Sequence, residues 1–218
     1  SARFQMAAAI YITCLGIKAD MRQKGMRASN YWQFDGYDME GFYRDASAPG
    51  PLRPSGCYIT SATLKDPENA AFHAPAGVTN VEVMTVLPGA SARWHVEPAD
   101  AWAWRYRDNQ AYHDAKAAIE EQMIDRLERV FPGTREAVVF RESATPVTHS
   151  RFTGASEGTS YGLAATPEQF LRNRPGARGP LPQLYLCGAS TRSGHGVLGA
   201  LMGGQGAARR ILGDLRGR

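Results

Sequence analysis

A glycine-rich segment near the end of the chain constrains the fold more than any other feature of the sequence. The apolar run 184–187 predicts a short buried strand, and the alanine-containing apolar stretch 197–212 predicts a helix. Between them, Gly194, Gly196 and Gly199 form a literal G-x-G-x-x-G. A strand, a glycine turn and a helix N-terminus together let backbone N–H groups approach a phosphate without obstruction by side chains.

The position of this motif argues against an ordinary dinucleotide-binding domain. Such a fingerprint opens a βαβ unit, and an acidic residue follows about 20 residues later, after the second strand. Only 19 residues follow Gly199, and the one acid among them, Asp214, lies at the end of the predicted helix. A free-standing NAD-binding protein would lack its second βα unit. We therefore expect the segment to complete a nucleotide site whose main part lies elsewhere.

Composition and charge narrow the range of partners. The 218 residues, 43% of them hydrophobic, suit one large domain or two small ones with a real core. The 25 basic and 21 acidic residues are interspersed, and no basic stripe with interleaved aromatics appears, so we expect no nucleic-acid binding.

The cysteines and the N-terminal segment bear on compartment. Cys14, Cys57 and Cys187 share no metal-type spacing, and we expect buried free thiols in a reducing compartment. The apolar run 7–17 is about half as long as a membrane-spanning helix. With no visible signal peptide, the sequence predicts a cytoplasmic location. The chain opens at Ser1 without a methionine and enters an apolar strand at once, which suggests a piece of a longer protein.

The hydrophobic pattern predicts an α+β fold with a mainly antiparallel or mixed sheet and packed helices, because several strands occur with few helices between them. We expect a first domain at 1–173, a Pro/Gly/Arg linker at 174–182 and a closing strand–turn–helix at 183–218. A long polar loop is expected after residue 140. The predicted strands are 6–17, 30–34, 56–62, 78–87 and 137–140, and the predicted helices are 38–45, 108–130 and a short one at 166–169.

Two stretches together resemble a known family. The segment 184–190, followed by 196–200, looks like the closing FAD-binding motif of the phytoene desaturase, carotenoid isomerase and retinol saturase group of flavoproteins. The segment 145–154, followed by 158–163, is similar to the Thr-Pro … Gly … Tyr-Gly-Leu segment of the same group. Weaker similarities extend over most of the chain.

The resemblance implies the C-terminal portion of an FAD-dependent oxidoreductase that transfers a hydride between flavin and a C–C bond of an apolar substrate. FAD would be held only together with an N-terminal half that carries the Rossmann unit. By position in the family motif, the pyrophosphate and ribityl chain would be lined by Gly188, Ala189 and Ser190. Backbone N–H groups would point toward the ribityl chain and flavin ring from Gly196, Val197 and Leu198. The residues close to the isoalloxazine ring would be Tyr161 and Gly162.

Several alternatives stay open. The chain departs from the family pattern at residues 191–195, so two roles stay open there. Arg192 either binds a phosphate or carboxylate or is an ordinary loop arginine. His195 either donates a hydrogen bond to the flavin or is an ordinary loop histidine. Tyr31, Trp32 and Phe34 either line an apolar channel or pack in the core.

Because flavin carries such chemistry, we expect no catalytic acid–base pair in the protein. The sequence contains no H-E-x-x-H and no CxxC, so we expect no metal site. The expected partners are an apolar small molecule and the N-terminal half of the protein. A peripheral contact with a membrane stays open as a further interaction. A non-catalytic binding or scaffold domain that descends from such an enzyme is the alternative function.

Overall fold

The computed structural model describes residues 4–47 and 50–217. The chain divides into two compact units. The larger unit is Ala9–Gly158, and the smaller unit combines Ser1–Ala8 with Thr159–Arg218. The chain therefore passes between the units at residues 8 and 9 and again at residues 158 and 159, and the predicted linker 174–182 lies inside the smaller unit.

The larger unit is an antiparallel five-stranded sheet with helices, which confirms the predicted α+β class. The strand order is β2-β3-β4-β1-β5. The five predicted strands agree with the observed ones to within three residues at each end, except that the last strand is longer than predicted. The strands are β1 (Ala9–Ile17), β2 (Tyr31–Phe34), β3 (Gly56–Thr60), β4 (Thr79–Leu87) and β5 (Val138–Ala144), and the helices are α1 (Met39–Ser47), α2 (Ala62–Lys65), α3 (Ala70–His73), α4 (Pro98–Trp102), α5 (Gln110–Val130) and α6 (Pro146–Thr153).

The core of the larger unit lies between one face of the sheet and α5. Alternate residues of β4 are buried from Thr79 to Leu87, as the alternating sequence predicts. The stripe on α5 that contains Ile119, Met123 and Leu127 is buried against them. The helix begins two residues later than predicted because the side chain of Asn109 caps it, accepting the Tyr112 N–H at 3.1 Å.

The expected long loop after residue 140 is wrong in its first part. The strand β5 continues to Ala144, and α6 follows at once. Thr145 and Thr148 form a reciprocal capping box, in which each hydroxyl accepts the backbone N–H of the other at 3.3 Å. Pro146 occupies the first turn, where its missing N–H costs nothing. This cap signal was present in the sequence.

The smaller unit contains one long helix, α7 (Gly196–Arg216), and a 3₁₀ turn at Pro167–Gln169 where a short helix was predicted. The predicted strand 184–187 is absent from the described structure, where only an isolated bridge joins Arg178 and Tyr185. Backbone bonds from Gly179 N–H to the Leu184 carbonyl and from Leu186 N–H to the Ala177 carbonyl bind this segment to 174–182. Because the segment 174–182 is rich in proline and glycine, it pairs with 184–187 as a narrow hairpin and not as a strand of a sheet. The segment 174–182 is held by these bonds and cannot act as a free linker.

The cysteines are free, but only Cys57 is buried, whereas Cys14 and Cys187 are exposed. The expectation of burial is wrong for Cys14 because it lies between the buried residues Thr13 and Leu15 and so points to the opposite face of β1. Among the described residues, no helix is long and apolar enough to cross a membrane.

Candidate functional site

All eight residues predicted to contact flavin lie in the smaller unit. The centre of the group is a tight turn that begins at Gly188. The N–H and hydroxyl of Thr191 both donate to the Gly188 carbonyl, at 3.1 and 2.8 Å. Gly188 has a φ of +93°, a conformation that L side chains rarely adopt, so the turn requires glycine there.

The segment around Tyr161 and Gly162 lies directly against this turn, although it is separated from it by more than twenty residues of sequence. A Cβ atom on Gly162 would overlap the hydroxyl of Ser190 and come within 3.4 Å of its backbone nitrogen. Gly162 also has a φ of +71°. Both observations make glycine necessary for this close approach.

The ring of Tyr161 also reaches the residue that precedes α7. Its centroid lies 5.0 Å from that of His195, with the ring planes at 55°. The structure therefore brings the two sequence motifs together: Tyr161 and Gly162 contact both the turn and the start of the last helix. Their spatial convergence was expected only from the family resemblance.

The N-terminus of α7 carries no side-chain cap. His195 is the N-cap residue, and its side chain makes no capping hydrogen bond. Gly196 opens the helix with a φ of +79°. The side chains of the first turn, Val197 and Leu198, are 81% and 71% exposed. The first-turn N–H groups and the positive end of the helix dipole are thus available to an electron-rich ligand.

The packing of α7 reverses the usual amphipathic arrangement. Its buried residues are the small ones, Gly199, Gly203 and Ala207. A Cβ atom on Gly199 would lie 2.6 Å from the Gly194 carbonyl oxygen, and one on Gly203 would lie 3.1 Å from the Gly188 nitrogen. The glycine turn therefore lies on a glycine face of the helix. Sequence reasoning missed this, although the spacing of Gly199, Gly203 and Ala207 by four residues was a signal.

Arg174, which the sequence analysis assigned to a linker, fixes the back of the turn. It is 2% exposed. Its guanidinium donates to the Ala189 carbonyl at 3.2 Å and to the Leu163 carbonyl. These two bonds join the turn to the residue that follows Gly162. Nothing in the local sequence pattern distinguished this arginine from its neighbours Arg172 and Arg178.

Two other charged side chains of the smaller unit, Arg192 near the turn and Asp214 on α7, are held by hydrogen bonds or by an ion pair. Arg192 donates from Nε to the Arg174 carbonyl at 3.3 Å, and its side chain is otherwise exposed. Asp214 accepts from Tyr185 at 2.9 Å and pairs with Arg178. The Arg178 guanidinium holds the pKa of the Asp214 carboxyl below its ordinary value.

The aromatic residues of β2, in the larger unit, do not act as one group. Tyr31 faces the core, where its ring meets Phe131 edge-on at 5.1 Å. Trp32 and Phe34 point to the other face and stack at 5.8 Å, and Trp32 is 60% exposed. On that face, pairing aligns Trp32 with a half-buried row of residues across the sheet, namely Tyr58, Met84, Ile12 and Ala144.

The backbone of the turn and of the helix start is open on one side. A Cβ atom on Gly188 or Gly196 would meet no atom within 4 Å, so open space lies beside the backbone at both positions. Together with the uncapped start of α7, this cradle fits a ligand that contacts backbone N–H groups. Among the described residues no cluster of three or more His, Cys, Asp or Glu side chains could hold a metal ion.

The chain matches the model of one protein family and is similar to several known proteins. Residues 96–212, more than half of the chain, match the family model of flavin containing amine oxidoreductases. A chloroplastic prolycopene isomerase 2 of an Oncidium hybrid cultivar is 31% identical over 113 residues, which cover 51% of this chain and 19% of the relative. A hydroxyneurosporene desaturase of Cereibacter sphaeroides is 37% identical over 103 residues, 47% of this chain and 21% of the relative.

Among solved structures, an oxidoreductase from Methanosarcina mazei is similar with a TM-score of 0.46 and 16% identity, covering 94% of this chain and 35% of that one. The match spans about a fifth of the length of the curated relatives. The chain belongs to the flavin containing amine oxidoreductase family.

Proposed function

We propose that this member of the flavin containing amine oxidoreductase family is the C-terminal portion of an FAD-dependent oxidoreductase that transfers a hydride between flavin and a C–C bond of an apolar substrate. The observation that carries the proposal is the convergence of Tyr161 and Gly162 with the Gly188 turn at the uncapped start of α7. The names of the relatives, an isomerase and a desaturase, support the reaction class.

Each part of the turn has a role in holding FAD. Gly188 offers backbone beside open space, and Ala189 and Ser190 continue the same turn, so that the ribityl chain and pyrophosphate can approach it. The first-turn N–H groups of α7, at Gly196, Val197 and Leu198, stabilise electron density on the flavin through the helix dipole. When bound, the cofactor supplies the hydride-transfer chemistry. The protein positions the cofactor and keeps water away from it.

One row of side chains, on the face of the sheet opposite the core, supports an apolar substrate. Trp32, Tyr58, Met84, Ile12 and Ala144 lie side by side on consecutive strands. With strands 4.7–4.9 Å apart, five residues in such a row span about 19 Å. The rings of Trp32 and Tyr58 are 4.8 Å apart, so the aromatic end of the row is continuous. This surface suits an extended molecule that lies across the strands.

A further half of the protein binds the adenosine part of FAD. The large apolar side chains on α7 give it a surface to cover, since Val197, Leu198 and Leu201 are 67–81% exposed. Burial of such side chains contributes about 1.5–3 kcal/mol each. We therefore expect the 218-residue chain alone to bind FAD weakly.

The test compares this chain with the protein made from the complete natural reading frame. Both are purified, loaded with FAD and desalted, and the flavin absorbance per protein is measured. We expect about one flavin per complete protein and almost none on the chain alone. Tight, stoichiometric retention by the chain alone, or an intact natural mass of 23.8 kDa, would contradict the proposal. A complete protein that binds no flavin would favour a non-catalytic scaffold.

A matched pair of variants locates the cofactor. Val197→Asp puts a carboxylate at the first turn of α7, where the dipole tolerates it for folding but where it repels the electron-rich flavin that the first-turn N–H groups are proposed to face. Gln205→Asp makes the same charge change on an exposed residue further along the helix. In the complete protein we expect at least tenfold weaker FAD binding for Val197→Asp and no change for Gln205→Asp. Equal effects would contradict the assigned position.

A further inference from the structure

We infer that an arginine-lined cleft in the smaller unit binds a phosphate-bearing ligand. The cleft has a volume of about 880 Å³. Its lining includes Arg172, Arg174 and Arg192, together with the polar residues Gln5 and Thr166. None of the eight residues assigned to flavin is part of the lining. The inference does not rest on the proposed function: a separate phosphate compound goes beyond that function, whereas the diphosphate of FAD would place that part of the cofactor at this cleft instead of beside Gly188.

The strongest sign of an anionic ligand is the buried charge of Arg174. Its side chain is 2% exposed, and its Nε atom is buried without a hydrogen-bond partner among the described residues. The hydrogen bonds of its guanidinium go to two neutral carbonyls, of Ala189 and Leu163. No ion pair of Arg174 occurs in the part of the chain that the structure describes. A buried cation without a counter-charge is costly, so an anion in the cleft would stabilise it.

The charges around the cleft do not cancel. Within the described residues, Arg172 and Arg192 have no ion pair, whereas Arg178, which also lines the cleft, is neutralised by Asp214. Glu168 is the one carboxylate in the lining, and it makes no ion pair with these arginines in the described chain. Three guanidinium groups against one carboxylate leave a positive potential inside a concave site.

Arginine recognises phosphate better than lysine does, because its planar fork donates two parallel hydrogen bonds to the oxygens. The phosphate could come from two sources. One is a separate phosphate or diphosphate compound, and the other is the diphosphate of a dinucleotide. Both sources present phosphate oxygens to the arginines of the cleft. They can be distinguished because only in the second case does a dinucleotide compete with diphosphate for the cleft.

The test is a calorimetric titration of the 218-residue chain with inorganic diphosphate at low ionic strength. We expect binding with a stoichiometry of one. The variant Arg172→Gln/Arg192→Gln removes two exposed charges of the cleft and should weaken binding at least tenfold. The matched control Arg209→Gln/Arg216→Gln removes two exposed charges of α7 that do not line the cleft, and it should leave the affinity within about twofold. Thermal unfolding of all three proteins verifies that each is folded.

Competition distinguishes the two sources. Displacement of diphosphate by FAD but not by riboflavin, which has no phosphate, identifies the dinucleotide as the source. Failure of both to displace it identifies a separate phosphate compound. The inference is overturned if diphosphate does not bind at millimolar concentration, or if the cleft variant and the control lose affinity equally, because such a loss reflects net charge alone.

Discussion

The two units of the molecule are stabilised in different ways. The larger unit buries large side chains: Trp94 and Tyr11 are fully buried and stack at 5.8 Å. The smaller unit buries glycine and alanine on α7 and leaves Val197 and Leu198 exposed. One unit is held by side-chain packing, and the other by close backbone approach and hydrogen bonds. The second arrangement leaves apolar surface and backbone N–H groups for something else to bind.

The largest expected effect is a core truncation in the larger unit. Trp94 is fully buried and donates its indole N–H to the Pro88 carbonyl at 2.9 Å. We expect Trp94→Ala to lower the free energy of unfolding by about 3–5 kcal/mol, because it opens a cavity. Urea unfolding monitored by circular dichroism measures it. The control Trp32→Ala, at a residue that is 60% exposed, should cost less than about 1 kcal/mol. Equal losses would mean that the core does not lie where the structure places it.

The smaller unit should instead be sensitive to added atoms. In Gly199→Ala, the new methyl would lie 2.6 Å from the Gly194 carbonyl oxygen, so the backbone must shift. We expect a loss of about 1–3 kcal/mol. The same exchange at Gly204, where a Cβ meets nothing within 4 Å, should stabilise by about 0.5–1 kcal/mol through helix propensity. Thermal unfolding of both variants measures the difference, and the same sign for both would contradict the glycine packing.

A pH dependence tests how α5 ends in the larger unit. The Glu128 carboxylate accepts the backbone N–H groups of Gly133, Thr134 and Arg135 at 2.7–2.8 Å. These bonds lower the pKa of Glu128 from 4.5 to about 2. Since the native state favours the ionised form, this contribution to stability is present above pH 4.5 and is lost as the pH falls toward 2.

Glu128→Gln should therefore be less stable than the wild type at pH 7, and the difference should shrink steadily between pH 4.5 and 2. Urea unfolding at several pH values measures it. A difference that is the same at pH 7 and pH 2.5 would show that the carboxylate charge is not responsible.

The smallest expected effect on stability lies on the exposed face of α7. Leu201→Gln replaces a side chain that is 67% exposed. In the 218-residue chain we expect the free energy of unfolding to change by less than about 0.5 kcal/mol. In the complete protein, the same change should weaken contact with the proposed N-terminal half and lower the thermal midpoint. A large loss in the isolated chain would mean that Leu201 packs within it.

The parts of the fold that follow from periodicity could be predicted. Alternation in β4 and the three-to-four spacing in α5 located both elements, because each buries one regular face against the core. The capping box at Thr145 carried equally local information that was overlooked. The prediction of a strand at 184–187 was wrong because this segment pairs with a proline- and glycine-rich segment. The apolar composition of 184–187 alone does not show what it pairs with.

The sequence predicted which residues belong to the candidate site but not how they are arranged in space. The resemblance named Tyr161, Gly162 and Gly188, and the structure places them together. Arg174 could not be found, because its burial depends on carbonyl groups of Ala189 and Leu163 that local sequence does not position. The outward orientation of Val197 and Leu198 was missed for a related reason: glycine packing, rather than apolar size, decides which face of α7 is buried.

The central claim is that the turn at Gly188 and the start of α7 form the closing part of a flavin site. Hydrogen exchange of the complete protein, with and without FAD, tests it most directly. The account predicts that FAD slows exchange at the amides of 188–190 and 196–198, while amides of the core strand β4 change little. Unchanged exchange at both segments in a protein that has bound FAD would contradict the claim.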